Sequence, residues 1–197
     1  MTDTTDALIE RFLLSSSGFA RRLRSVRAEQ WTWPTLCTEW NVQQLVNHMT
    51  RGNLSYVRLL DGGDAAEFLL LREADALGTD PVRAYEDSAS ALSAAFGRAG
   101  ALRRVLDYPL GPVSGGQALA VRITDSVIHT WDLAQAVGVD DTLDRGLVAW
   151  IDAHLDDIYA GLPETPVAAE TTHRFFGRPV EAAPHASPQA RLLHRMG

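Results

Sequence analysis

Asp125 and His129 stand four residues apart in a segment that reads as helix. Their side chains therefore share one face, with about 5–6 Å between Cβ atoms. Arg122 precedes this pair by three residues and Asp132 follows it by three, extending the same stripe. A projection at about 100° per residue puts Val121 and Ile128 on one flank, Leu133 on the other and Ile123, Val127 and Ala134 opposite. A helix that is apolar on several sides but carries Arg-Asp-His-Asp along one line is no simple surface helix. Buried charges are tolerated when they are paired or when they coordinate a metal. A carboxylate and an imidazole one turn apart can both reach a divalent ion, and one further nitrogen would leave a position open for water or substrate. His48, beside Leu45 and Met49 on another predicted helix, is the candidate third donor. On spacing alone two readings stay open, since D-x-x-x-H is also an ordinary helical pair and a single histidine is also a satisfied core or rim residue.

The elements that must position these residues are helical. Leu8, Phe12, Phe19, Leu23 and Val26 recur at helical spacing across residues 4–26. Trp31-Thr32-Trp33-Pro34-Thr35 interrupts that pattern, because proline and the residue before it both resist helix. A second helix begins at Asn41, paired with Gln44 as a capping box, and runs to about Leu60 with Val42, Leu45, Val46 and Met49 inward. Asp61-Gly62-Gly63-Asp64 is a turn. Asp80-Pro81 opens a third helix that ends at Gly97 or Gly100, with Tyr85, Leu92 and Phe96 on its inner face. Residues 103–113, interrupted by Pro109 and Pro112, read as extended or irregular without strand pairing. Ser114 caps the fourth helix, which ends near Gly138, and a fifth covers residues 143–160. Ser187-Pro188 begins a short last helix through Leu192 and Leu193. The expected fold is all-α, a four-helix bundle over residues 1–162 with a C-terminal extension, 163–197, packing on it.

With 197 residues, 46% of them apolar and 22% charged, the chain has the composition of one ordinary globular domain. Its net charge of -7 argues against nucleic-acid binding and against a polybasic membrane surface. No run reaches the roughly 18 apolar residues of a membrane span. Cys37 is the one cysteine, so no internal disulfide forms, which fits a reducing cytoplasm. All 18 basic residues are arginine, a bias consistent with a GC-rich bacterial genome.

The run Pro34-Thr35-Leu36-Cys37-Thr38-Glu39-Trp40-Asn41-Val42, continuing through Leu45-Val46-Asn47-His48, resembles a signature of the DinB-like metalloprotein superfamily. More narrowly, it resembles the branch that includes the N-terminal domain of mycothiol-dependent maleylpyruvate isomerase. Asp125-Ser126-Val127-Ile128-His129-Thr130-Trp131-Asp132-Leu133-Ala134 resembles that branch too, as does Phe176-Gly177-Arg178-Pro179-Val180 ahead of the last helix. The resemblance implies an up-and-down four-helix bundle and a divalent ion, usually zinc and sometimes nickel; the sequence leaves iron open as well. It places the ion on His48, Asp125 and His129. Aspartate stands at position 125 where the isomerase-type proteins carry glutamate, and the resemblance is expected not to extend to the isomerase's separate C-terminal domain.

A divalent ion with an open position can polarise a carbonyl, activate water or take a thiol as thiolate. The resemblance implies mycothiol as cosubstrate. The leading expectation is a metal-dependent thiol S-transferase, or a thiol-assisted isomerase, acting on a small electrophile, as monomer or homodimer. The alternatives are a hydrolase or specialised-metabolite tailoring enzyme without a thiol, and a binding module with a structural metal. Arg122 is expected to meet a substrate carboxylate or to pair with Asp125. Asp132 is expected to accept from the second ring nitrogen of His129, or to bind a loop amide or an arginine. Cys37 reads as a small buried hydrophobe near the site. Trp40 and Trp131 read as core, and His154, His173, His185 and His194 as surface or tail.

Overall fold

The computed structural model describes residues 5–37, 40–71, 74–162, 181–183 and 185–196. Seven helices occur among them: α1 (Thr5–Leu23), α2 (Val42–Leu60), α3 (Ala65–Leu70), α4 (Pro81–Phe96), α5 (Gly115–Val137), α6 (Arg145–Ile158) and α7 (Pro188–Met196). Their boundaries follow local chemistry. The Asn41 side chain accepts from the Gln44 amide, and Gln44 reaches back to the Asn41 N–H, each at 2.9 Å. Asp80 caps α4, with Pro81 as its first residue. Ser114 accepts from Gln117 N at the start of α5, and Gly138 closes that helix in the left-handed region, at φ 72°.

α1, α2, α4 and α5 form the bundle, and their order round it is α1, α5, α2, α4. The buried side chains form two apolar clusters stacked along the bundle axis. One takes Phe12 from α1, Leu59 from α2, Phe96 from α4 and Leu119 from α5; the other takes Phe19, Leu45, Tyr85 and Leu133 from the same four helices. The sequence order of these contributions fixes the directions: α1 and α5 run one way, α2 and α4 the other. The expected four-helix bundle is present, with α2 and α4 parallel rather than alternating. Residues 61–71 and 74–80, α3 among them, lie in the return that parallel neighbours require.

Between the clusters lies a polar layer. Ser15 and Ser16 on α1, Thr50 and Asn53 on α2, Ser88 on α4, and Arg122 and Ser126 on α5 are all buried. Helix interiors of this kind are ordinarily apolar, so the layer marks where the fold gives up dry packing.

A second expectation is corrected. Residues 105–114 pair as an antiparallel hairpin, β1 (Val105–Tyr108) against β2 (Gly111–Ser114), with Leu106 opposite Val113. Leu106, Tyr108 and Val113 are buried against the first cluster. Pro112 is accommodated because a two-stranded ribbon consists only of edges. α6 packs on α5, and α7 packs on α6 with Leu192 and Met196 buried. Residues 163–180, including the Phe175-Phe176 pair and the Phe176–Val180 run, lie outside the described residues, as do Thr38 and Glu39. None of the described helices is long and apolar enough to cross a membrane.

Candidate metal centre

The centre forms where α2 and α5 face each other at one edge of the polar layer. On α5, the i, i+4 spacing brings His129 Nε2 to 3.2 Å from Asp125 Oδ1. From α2, His48 Nε2 reaches to 3.6 Å from Asp125 Oδ2. The two imidazoles meet edge to face, with ring centroids 5.2 Å apart. A ligand atom from each of the three residues lies within 4.8 Å of the others. A tetrahedral zinc site with about 2.0–2.1 Å bonds has donor–donor edges of about 3.3 Å, and each histidine stands near that length from one of the two Asp125 oxygens.

His48 Nε2 is buried and has no hydrogen-bond partner among the described residues. A buried polar atom left unpaired is costly, and this one is aimed at a carboxylate just beyond hydrogen-bond range. The His48 side chain as a whole keeps 26% exposure, against 5% for His129 and 16% for Asp125. The centre is thus closed on the α5 side and approachable beside His48. The donor set, the spacing and the orphaned nitrogen fit a divalent ion.

Protonation differs sharply between the two histidines. Burial pushes His48 down to about 4, against the pull of Asp125, so its ring is neutral with a free lone pair. Burial also acts against His129, but the charge of Asp125 and hydrogen bonds to Asp125, Asp132 and Cys37 outweigh it and raise the ring well above the ordinary imidazole range. Burial pushes Asp125 up, yet His129 and Arg122 hold it well below the usual carboxylate range. Two positive neighbours therefore attend Asp125 where a cation would sit.

Arg122 is almost fully buried, at 1% exposure. Its Nε donates to Asn53 Oδ1 at 2.8 Å, Nη2 donates to the Met49 carbonyl, and Nη1 makes a short contact with Asp125. Asn53 donates onward to Ser88 Oγ at 2.9 Å, and Ser88 donates to the Tyr85 carbonyl at 2.7 Å. The guanidinium lies against α2 at Gly52, where a Cβ would come within 2.9 Å of Nη1. Of the two roles expected for Arg122, the fold supplies the pairing with Asp125. The guanidinium is buried among these partners.

Asp132 Oδ2 lies 2.8 Å from His129 Nδ1, the arrangement expected for an acceptor that orients the ring. The loop before α2 completes the surroundings. Pro34 bridges to Asn41, Thr35 Oγ1 donates to the Trp40 carbonyl at 2.8 Å, and the Trp40 amide donates to the Cys37 carbonyl at 2.8 Å. This turn sets the Trp40 ring on His48 at 4.4 Å, with His129 at 5.8 Å, so Trp40, partly buried against the second apolar cluster as expected, also walls the centre. Cys37 Sγ stands 3.4 Å from Asp132 Oδ2, and burial, the largest influence on it, raises its thiol pKa. Trp131 is partly buried, with Nε1 donating to Asp141 at 3.3 Å. His154 is half-buried and stacked on Trp150, His185 is exposed, and His194 lies on α7; none of them joins a candidate ligand group among the described residues. His173 lies outside the described residues.

Sequence reasoning missed Asn53, Ser88 and Gly52. The signal for the last was in view: a helix-interior glycine one turn beyond His48 ordinarily has a packing reason.

Comparison with known proteins bears on this arrangement. The family model described as mycothiol maleylpyruvate isomerase N-terminal domain matches residues 12–134, a span that contains every residue of the centre. Two proteins of Mycobacterium tuberculosis, MT0763 (strain CDC 1551 / Oshkosh) and Rv0738 (strain ATCC 25618 / H37Rv), are each 33% identical over 133 residues, covering 68% of this chain and 69% of the relative. The crystal structure of the mycothiol-dependent maleylpyruvate isomerase shares the fold, with a TM-score of 0.60 at 16% identity over 78% of this chain and 70% of that one. A histidine-to-alanine mutant of that enzyme also gives 0.60, at 15% identity. By the family model, which spans more than half of its length, this all-α, DinB-like chain belongs to the mycothiol maleylpyruvate isomerase N-terminal domain family.

Proposed function

We propose that the chain holds a divalent ion, zinc first, on His48, Asp125 and His129, and that it works on a low-molecular-weight thiol and a small electrophile. The reaction is transfer of the thiol to the electrophile or its thiol-assisted isomerisation, with mycothiol, named in the family's description, as the cosubstrate. The observation that carries the reading is the convergence from two helices of three donors, one of them the unpartnered His48 Nε2. When bound, the ion would supply Lewis acidity at its open position, where it favours the ionised form of a thiol whose free pKa is about 8.5.

The chain's own residues set the rest. His48 marks the solvent side, so substrates approach along α2 and past Trp40. Arg122 holds Asp125 in place and offsets its charge, so the ion would face three donors of nearly neutral sum and keep its attraction for an anion. Asp132 fixes the His129 ring through Nδ1, leaving Nε2 toward the ion. The raised thiol of Cys37 is unsuited to be the nucleophile, so the attacking sulfur comes from the cosubstrate. A thiol cosubstrate also places the protein in a reducing compartment, the cytoplasm.

Elemental analysis of the purified protein and of His48→Ala and Asp125→Ala tests the ligand set. Stoichiometric metal in the unaltered chain and its loss from both variants is the expected result. Full retention in both variants removes the ligand assignment. Conjugation of cellular thiols to a chlorinated nitroaromatic, measured with and without chelator, tests the chemistry. Rates that require metal support thiol transfer, and the absence of any metal-dependent conjugation favours a structural clamp.

A further inference from the structure

The His129 ring serves two clusters. Nε2 faces Asp125 and His48, while Nδ1 faces the opposite way, 2.8 Å from Asp132 Oδ2 and 3.9 Å from Cys37 Sγ. Cys37 Sγ is in turn 3.4 Å from the same Asp132 oxygen, which closes a triangle of sulfur, nitrogen and oxygen donors. His129 and Asp132 are buried at 4% and 5% exposure, and Cys37 is half-buried. The triangle draws on two elements, α5 and the loop held by the Pro34–Asn41 bridge, so its closure is not a by-product of helical spacing.

For a tetrahedral ion with about 2.3 Å to sulfur and about 2.0–2.1 Å to nitrogen and oxygen, donor–donor edges are about 3.3–3.6 Å. The two sulfur edges, 3.4 and 3.9 Å, lie close to that range. The nitrogen–oxygen edge of 2.8 Å is hydrogen-bond length and has to open by about half an ångström when a cation replaces the shared proton.

We propose that Cys37, Asp132 and Nδ1 of His129 form a second cation position, selective for thiophilic d10 ions and set back to back with the first through the shared ring. Cadmium, or zinc in excess, is its ligand class, because a thiolate prefers soft ions to the hard ions that carboxylate and water suit. On binding, the cation forms bonds to sulfur, nitrogen and oxygen, and the Cys37 thiol proton and the Nδ1 proton leave to solvent. No electrons are exchanged. Occupation of both positions at once makes His129 a bridging imidazolate. The proposal is independent of the thiol-transfer reading, since it requires neither His48 nor an open position at the first centre.

Cadmium chloride titrated into the full chain tests it, with thiolate-to-metal charge-transfer absorption in the near ultraviolet as the readout and circular dichroism as the check on fold. The wild type develops the absorption, Cys37→Ser lacks it, His48→Ala keeps it, and Asp132→Asn needs about tenfold more cadmium to reach half-saturation. A wild type without the absorption overturns the proposal, and so does unchanged cadmium affinity in Asp132→Asn. Its loss in folded His48→Ala also overturns it, since Cys37 would then be a fourth donor to the first centre. Zinc lost from His48→Ala with the cadmium signal intact supports two separate positions. Zinc retained in both His48→Ala and Asp125→Ala, with the cadmium signal again intact, leaves this position standing and removes the first.

Discussion

Above and below the polar layer the four bundle helices bury apolar side chains; within it they bury Asn53, Ser88, Arg122 and His129 and half-bury Asp125 in a chain of hydrogen bonds and ion pairs. The two kinds of region are held by different forces. Each large apolar side chain taken from water contributes about 1.5–3 kcal/mol, with no demand on orientation beyond fit. A buried guanidinium and carboxylate must first recover a desolvation cost of several kcal/mol, and a well-packed apolar pair of equal volume is often as stable or more so. A bundle selected for stability alone has little use for the middle layer. Its presence there, ending at an unpartnered His48 nitrogen, is the physical case for a ligand site.

The contrast is broken hardest by a pair of truncations of similar size. Phe12→Ala, in an apolar cluster, is expected to cost about 3–5 kcal/mol in denaturant unfolding, with metal content per folded molecule unchanged. Arg122→Ala is expected to cost about 3–5 kcal/mol as well, because Asp125 is left buried without its guanidinium. The two part on addition of a divalent ion. The melting temperature of Arg122→Ala should rise by more than that of the wild type, since a cation restores the missing charge, while Phe12→Ala should follow the wild type. Equal responses would mean that the middle layer is structural packing only.

Smaller changes sharpen the comparison. Asp132→Asn is expected to weaken metal retention by about 10–100-fold, measured by competition with a chromophoric chelator, with little change in unfolding. Gly52→Ala should be nearly neutral in stability, because about 0.5–1 kcal/mol of helix preference is offset by a Cβ 2.9 Å from the guanidinium. It should nonetheless loosen the metal several-fold by pushing Arg122 against Asp125. A stabilised variant with unaltered metal affinity would show that the guanidinium has room to move.

Much of this arrangement was legible from local rules. Asn41 with Gln44, Asp80 with Pro81, and Ser114 with Gly138 mark helix ends through caps that need only neighbouring residues, and all three pairs lie where the structure places them. The alignment of Arg122, Asp125, His129 and Asp132 follows from helical period alone. The hairpin was hidden because Pro109 and Pro112 obscure the alternation of Leu106, Tyr108 and Val113, and pairing across a turn is a tertiary outcome. The parallel course of α2 and α4 has no local signature. Arg122 has five N–H donors, and nothing in its own helix says that α2 supplies Asn53 and the Met49 carbonyl. Trp40 reads as core from its type, and only the turn at Pro34–Asn41 puts it over His48.

The missing side chain at Gly52 has a mechanical consequence. A guanidinium seated in that notch and tied to the Met49 carbonyl acts as a detent between two rods, so α2 cannot slide along α5 by even one residue, about 1.5 Å, without unseating it. The distance from His48 to Asp125 is thereby indexed by a key and its slot one turn away on each helix.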